Sequence, residues 1–488
     1  MYNDLNVTRK PVRFTQNDKR VITRFYFPQD TIRASKIVSR ILALSEKKTN
    51  EMLNQVKKDF SHRHQHLERI FAGHFRHVEK HIPKDKMVSE EKKSLIAAYF
   101  TNEYSIQAAG FFNPSVIPHL DQSKLRDGSI RLILSFRSTG EGHVSSIEFR
   151  SIIIDDNLDI TLEEASRFAR TAESVELPVY DKHTFTLKLN EMSENCELCE
   201  EFIHDLPNQF TFTELKEAIR QKLPIEQITD YAHQKAIDQI FLLAKANLIL
   251  NFNPESQLSE RVIFPFSDRN SNGIEDARFV LFTGEDGANT YYATYTAYNG
   301  IDILPQLLET KDFITFKTIT LNGNAVENKG LALFPRKVNG KYMMISRNDG
   351  ENLYIMESDN LHFWNDKKLL KEPEFTWEFI QIGNCGSPIE TKDGWILLTH
   401  GVGPMRLYCV GAILLDLDDP SRVIGQLPEP LLCPDESERE GYVPNVVYTC
   451  GAIIHKEELI IPYAMSDTMS GIATVSVKKL LKSLLNNR

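Results

Sequence analysis

Short apolar runs that follow Gly-Lys or Asp-Gly turns and end on an ionisable side chain recur in this chain, and they constrain its architecture most. Gly340-Lys341-Tyr342-Met343-Met344-Ile345-Ser346-Arg347 and Asp393-Gly394-Trp395-Ile396-Leu397-Leu398-Thr399-His400 are two copies, and Ile130 to Arg137 is a third. From about Val262 to Val475 such strands return at regular spacing, separated by Asn339-Gly340, Asp349-Gly350 and Asp393-Gly394; these dipeptides suit tight hairpins. Repeats of about forty to fifty residues with several strands each predict a β-propeller, whose strands converge on a central channel. Equivalent repeat positions then face one pocket, so Arg137, Arg347 and His400 are expected to meet there. The alternative is that each is only a rim residue closing an apolar strand.

Flanking this β texture are two helical stretches. From about Asp30 to Ala98 apolar residues fall at three- and four-residue intervals (Ile32, Ile37, Ile41, Leu42, Leu44), with Pro83 the only proline. His62, His64, His66, His74, His77 and His81 alternate there with Arg63, Arg69, Arg76 and Lys80. The i,i+4 pairs lack a completing ligand, so a solvated basic helix face is expected rather than a metal site. Thr184 to Leu189 reads as a strand, and about Thr213 to Leu250 as an inserted helical segment. The expected layout is a helical extension over 1–100, propeller over 101–190, helical insertion over 191–255, propeller over 256–475 and a C-terminal helix over 476–488.

With 57 Lys plus Arg against 67 Asp plus Glu, the net charge of -10 argues against a partner held by phosphate neutralisation, such as nucleic acid. No apolar run is long enough for a membrane span, and the N-terminus does not resemble a signal peptide, so a cytoplasmic enzyme is expected. Six cysteines are too sparse for a disulfide scaffold, and the acidic Cys196-Glu-Leu-Cys199 pair lacks a second pair at zinc spacing. No metal or organic cofactor is expected.

Asn272-Gly273-Ile274-Glu275-Asp276-Ala277-Arg278 sets two carboxylates and an arginine behind a glycine turn. With it come Tyr295-Thr296-Ala297-Tyr298, Leu333-Phe334-Pro335-Arg336, Gly383-Asn384-Cys385-Gly386-Ser387-Pro388, Gly394-Trp395 with His400-Gly401-Val402, Glu438 to Val447, and Tyr463 to Asp467. This ordered set, across about Phe112 to Val475, resembles glycoside hydrolase family 130, whose members are five-bladed β-propellers acting on β-mannosides. The helical stretches lie outside the compact family core and are expected to cap the channel or build an oligomer interface.

The resemblance implies that Asp276 is the general acid of an inverting enzyme, passing its proton through a mannose hydroxyl to the leaving oxygen. Burial and the adjacent Glu275 are expected to raise its pKa. Asn113, Arg137, Arg278, Tyr298, Arg347, Asn348, Gln381, His400 and Asp467 are the expected substrate- or anion-binding residues. The family divides by nucleophile: phosphorylases hold inorganic phosphate with several cations, whereas hydrolases need a carboxylate base for water. Gln381 stands where phosphorylases typically carry lysine, so hydrolysis of β-1,2-linked manno-oligosaccharides is expected, with Glu438 or Glu141 as base. A phosphorylase releasing α-mannose 1-phosphate is the alternative, and a non-catalytic sugar-binding platform is a third reading.

Overall fold

The computed structural model describes residues 5–28, 30–192, 196–222, 231–265, 272–298 and 303–486. Its β-rich part consists of five successive antiparallel meanders. The first runs through Gly110–Pro118, Ile130–Thr139, Ser145–Ile154 and Ile160–Leu162. The second contains Gly273–Thr283, Asn289–Tyr298, Ile303–Thr310 and Thr315–Thr320. Lys329–Leu333, Tyr342–Arg347, Leu353–Ser358 and Asp366–Lys371 form the third. Gln381–Asn384, Gly394–Val402, Tyr408–Leu415 and Val423–Gln426 form the fourth. The fifth comprises Val447–Tyr448, Glu458–Met465 and Met469–Ser476, and its outer strand is the N-terminal Thr8–Phe14.

The apolar runs are continuous rather than alternating because both faces of each meander are covered. Successive side chains point to opposite faces. Trp395 and Leu397 therefore pack with Phe334, Ile345 and Ile355 of the third meander, while Ile396 and Leu398 pack with Val447, Ile461 and Val475 of the fifth. Ile133 joins Phe279 of the second meander, whereas Leu132 and Leu134 join Ile460 and Ile472 of the fifth. Val280 and Phe282 of the second meet Leu331 and Met344 of the third. Each meander thus shares an apolar cluster with both neighbours, and the first shares one with the last. Each large side chain fully buried this way contributes roughly 1.5–3 kcal/mol before entropy is counted.

The helices Thr31–Leu42, Glu46–Phe60, Leu67–Val78 and Glu90–Tyr99 enclose a separate core around Val38, Phe71, Ile96 and Phe100. Asp30, Ser45 and Ser89 cap three of them by accepting from backbone N–H groups three residues on. The histidines here do not form one solvated face. His64 is buried 2.6 Å from Glu103, and His74 bonds Thr101, whereas His62, His66 and His77 are exposed. Among the described residues no His, Cys, Asp and Glu cluster is placed to hold a metal.

Thr184 to Leu189, read as a strand from its β-branched and aromatic alternation, lies in the helix Lys182–Met192. Asp181 accepts from Thr184 N at 2.8 Å, and Phe185 and Leu189, four apart, enter a helical core with Phe202, Leu215 and Ile240. Local propensity here yields to helical packing. Conversely, Leu248–Asn251, expected at the end of a helical stretch, is a strand on the outer edge of the second meander. Cys409 and Cys433 form a disulfide, and Cys199, Cys385 and Cys450 are buried free thiols. No helix among the described residues is long and apolar enough to cross a membrane.

Candidate active site

Two adjacent β-bulges build the centre. The pairing of Gly273–Thr283 shifts register between Glu275 and Arg278, and that of Gly110–Pro118 shifts between Phe112 and Ser115. At the two shifts Asp276 and Asn113 adopt left-handed backbone, with φ of +51° and +49°, a conformation that Asp and Asn tolerate better than most residues. The bulges re-aim both side chains, and Asn113 Nδ2 donates to Asp276 Oδ1 at 2.7 Å. Gly273 is required just upstream: at φ +141° a Cβ there would lie 2.5 Å from Ser145 Oγ.

Cations from three meanders surround the carboxylates. Arg137 donates to Glu275 at 2.9 Å and lies 3.7 Å from Asp276. Lys329 pairs with Glu275 at 2.7 Å. Arg278, 3% exposed, donates to the Asp276 carbonyl at 3.0 Å and to Tyr448 Oη at 2.6 Å. Burial pushes the Asp276 carboxyl up, but Arg137, Arg278, the Asn113 hydrogen bond and Lys329 outweigh it, so its pKa lies below the usual aspartate value. The expected rise is therefore corrected: Glu275 is paired with Arg137 and Lys329, and the cations rather than its charge dominate at Asp276.

Asp467 behaves in the opposite way. Burial, aided by Asp276 and Glu275 and opposed by Arg137 and Arg406, pushes its pKa from 3.8 up to about 6. Folding therefore holds this proton more tightly than the unfolded chain does. The resulting stability is fully present below the unfolded value of 3.8 and lost as pH rises through about 6.

Arg347 and His400 complete the cluster. Arg347 Nη1 lies 3.2 Å from His400 Nε2, and burial together with Arg347 and Arg278 holds the imidazole pKa well below 6.5. The ring is neutral, so Nε2 accepts from the guanidinium. His400 fits only because residue 383 is glycine, where a Cβ would lie 2.3 Å from His400 Cε1. Among the described residues no carboxylate is ion-paired to Arg347. Asn113 Oδ1, Arg137 Nε, Arg347 Nε and Asn384 Oδ1 are buried without a protein partner, as expected of groups reserved for a ligand.

Other expected residues stand elsewhere or are already committed. Glu438, 1% exposed, accepts from Arg9 Nε and Nη2 at 3.0 Å each and from Tyr463 Oη at 2.5 Å. It also accepts from Asp435 N in a capping box. Its acceptor capacity is spent on structure, which argues against a water-activating base. Glu141 is exposed in a short turn. Asn348 Nδ2 donates to Ala325 O, and its Oδ1 accepts from Ser346 Oγ. Tyr298 closes the second strand of its meander opposite Gly273, and Gln381 opens the fourth meander opposite Val402. Lys329, Tyr448 and Arg9 were not anticipated. Lys329 pairs in register with Arg347, a signal visible only once the strands are aligned.

The site thus gathers two carboxylates and four cations from three meanders around Asp276. The sequence profile described as β-1,4-mannooligosaccharide phosphorylase matches residues 240–486. A 1,2-β-oligomannan phosphorylase of a Thermoanaerobacter species is 37% identical over 231 residues, covering 46% of this chain and 75% of the relative. A β-1,2-mannobiose phosphorylase of Listeria innocua is 31% identical over 231 residues, covering 46% of this chain and 63% of the relative. A solved structure of Listeria innocua β-1,2-mannobiose phosphorylase with β-1,2-mannobiose matches 77% of this chain and 92% of its own, at 22% identity and a TM-score of 0.45. The chain belongs to glycoside hydrolase family 130.

Proposed function

We propose that this protein is an inverting phosphorylase of β-1,2-linked manno-oligosaccharides, releasing α-mannose 1-phosphate, and that its five meanders are the blades of a five-bladed β-propeller. The propeller reading is supported by the five shared apolar clusters and by pairing of Thr8–Phe14 with the last meander. Phosphorolysis replaces the hydrolytic reading favoured by Gln381. The observation that carries it is the contrast between Glu438, consumed by Arg9 and Tyr463, and Arg347, a guanidinium that meets a neutral histidine and no carboxylate among the described residues. Water lacks a free base at Glu438, while an anion has its cations. Lys329 brings an ammonium to the same cluster, compensating for Gln381. The names of the two curated relatives agree with this reading.

In the proposed reaction a phosphate oxygen forms a bond to the anomeric carbon as the glycosidic C–O bond breaks. Asp276 supplies the proton through a mannose hydroxyl to the departing oxygen. A phosphate dianion among Arg137, Lys329 and Arg347 offsets the field that depresses the Asp276 pKa, so anion binding restores the proton the acid must deliver. Asn113 orients that carboxyl, and His400 orients Arg347.

Arg347→Met removes charge-assisted hydrogen bonds of roughly 1.5–3 kcal/mol, so the KM for phosphate is expected to rise about ten- to more than a hundredfold. The KM for mannobiose should stay within about twofold. Steady-state kinetics with each substrate varied separately checks this, and a rise confined to mannobiose would overturn the anion role.

A further inference from the structure

Beside the turn that carries Asp467, two aromatic side chains distant in sequence meet at the surface. His143 and Tyr442 stack with ring centroids 5.2 Å apart and an interplanar angle of 27°. Tyr442 is 57% exposed and His143 is also exposed. Exposed aromatic rings are ordinarily mobile, but these two are anchored from beneath. His143 N donates to Gly140 O at 3.1 Å, Gly140 N donates to Val144 O at 3.1 Å, and the buried Tyr104 hydroxyl donates to Glu141 O at 2.6 Å. His143 itself holds φ +62°, a left-handed conformation that histidine tolerates better than most residues. On the other side Tyr442 N donates to Thr468 Oγ1 at 3.0 Å, and Val443 N donates to Ser466 O at 3.1 Å.

The Tyr442 and Val443 bonds flank Asp467, and Thr468 O accepts from Phe111 N at 2.9 Å, two residues before Asn113. Ser145, two residues after His143, pairs with Gly273 at the foot of the Asp276 bulge, so both rings stand on segments that adjoin the acid. Rigid backbone, left-handed geometry and exposed ring surface beside a reacting centre fit the apolar C–H face of a pyranose. We propose that His143 and Tyr442 form the platform on which the departing sugar stacks, making them specificity-determining residues for the acceptor. This rests on the mannoside-phosphorylase reading and adds a subsite to it.

The test runs the reaction in the synthetic direction, with α-mannose 1-phosphate as donor and mannose as acceptor. Tyr442→Ala and His143→Ala are each expected to raise the acceptor KM about tenfold, the loss of one aromatic contact of roughly 1–1.5 kcal/mol. The KM for the donor should stay within about twofold, and Tyr442→Phe should restore the wild-type acceptor KM. An unchanged acceptor KM, or equal rises for donor and acceptor, would overturn the platform. Wild-type protein that hydrolyses mannobiose without phosphate would overturn the phosphorylase reading instead. The platform would then be read from the KM for mannobiose, expected to rise about tenfold in Tyr442→Ala; an unchanged KM there would also overturn it.

Discussion

Asp276→Asn is expected to lower turnover of β-1,2-mannobiose by about 10²–10⁴-fold, the usual contribution of a positioned general acid. The substitution keeps shape and left-handed tolerance, so the fold should survive. An amide at this position can still meet the Asn113 side chain, because Asn113 Oδ1 is a buried acceptor without a protein partner. Arg137, Arg278 and Lys329 would lose one opposing carboxylate. Phosphate binding should therefore be unchanged or tighter while chemistry fails, a split that general unfolding cannot produce. Stopped assays with varied phosphate and a thermal melt measure both parts. Retention of more than about a tenth of wild-type kcat would remove Asp276 from the role of acid.

Glu438→Gln should do the reverse. The carboxylate accepts from Arg9, Tyr463 and Asp435 N while 1% exposed, and Arg9 arrives on the N-terminal strand that closes the fifth meander. Neutralising it leaves Arg9 short of its partner, at a cost of about 2–4 kcal/mol. Chemical denaturation should show that loss, with kcat within about threefold of wild type at temperatures where the variant stays folded. A fully stable variant with kcat lowered a hundredfold or more would restore Glu438 as a water-activating base.

The different fates of Asp276 and Glu438 show what the sequence carries. Strand blocks were legible because Trp395 to Leu398 and Ile130 to Phe136 are apolar on both faces and bounded by glycine turns. Arg347 and His400 were legible as neighbours because each lies within the last three residues of the second strand of its meander, as Arg137 does in the first. Lys329 was not, since its role depends on register with Arg347 rather than on any local pattern. The pairing of Arg9 with Glu438 spans 429 residues, and no spacing rule reaches that far. The Asp276 pKa was misjudged for the same reason. Glu275 is visible beside it in sequence, whereas the cations that dominate come from positions 137 and 329 as well as 278. Thr184 to Leu189 failed differently, through a β-like alternation overruled by the packing of Phe185 and Leu189.

Incubation of the purified protein with β-1,2-mannobiose, with and without millimolar inorganic phosphate in a phosphate-free buffer, tests the central claim most directly. The account predicts α-mannose 1-phosphate and mannose in equal amounts, formed only when phosphate is present. Two equivalents of free mannose per disaccharide at a phosphate-independent rate would contradict it.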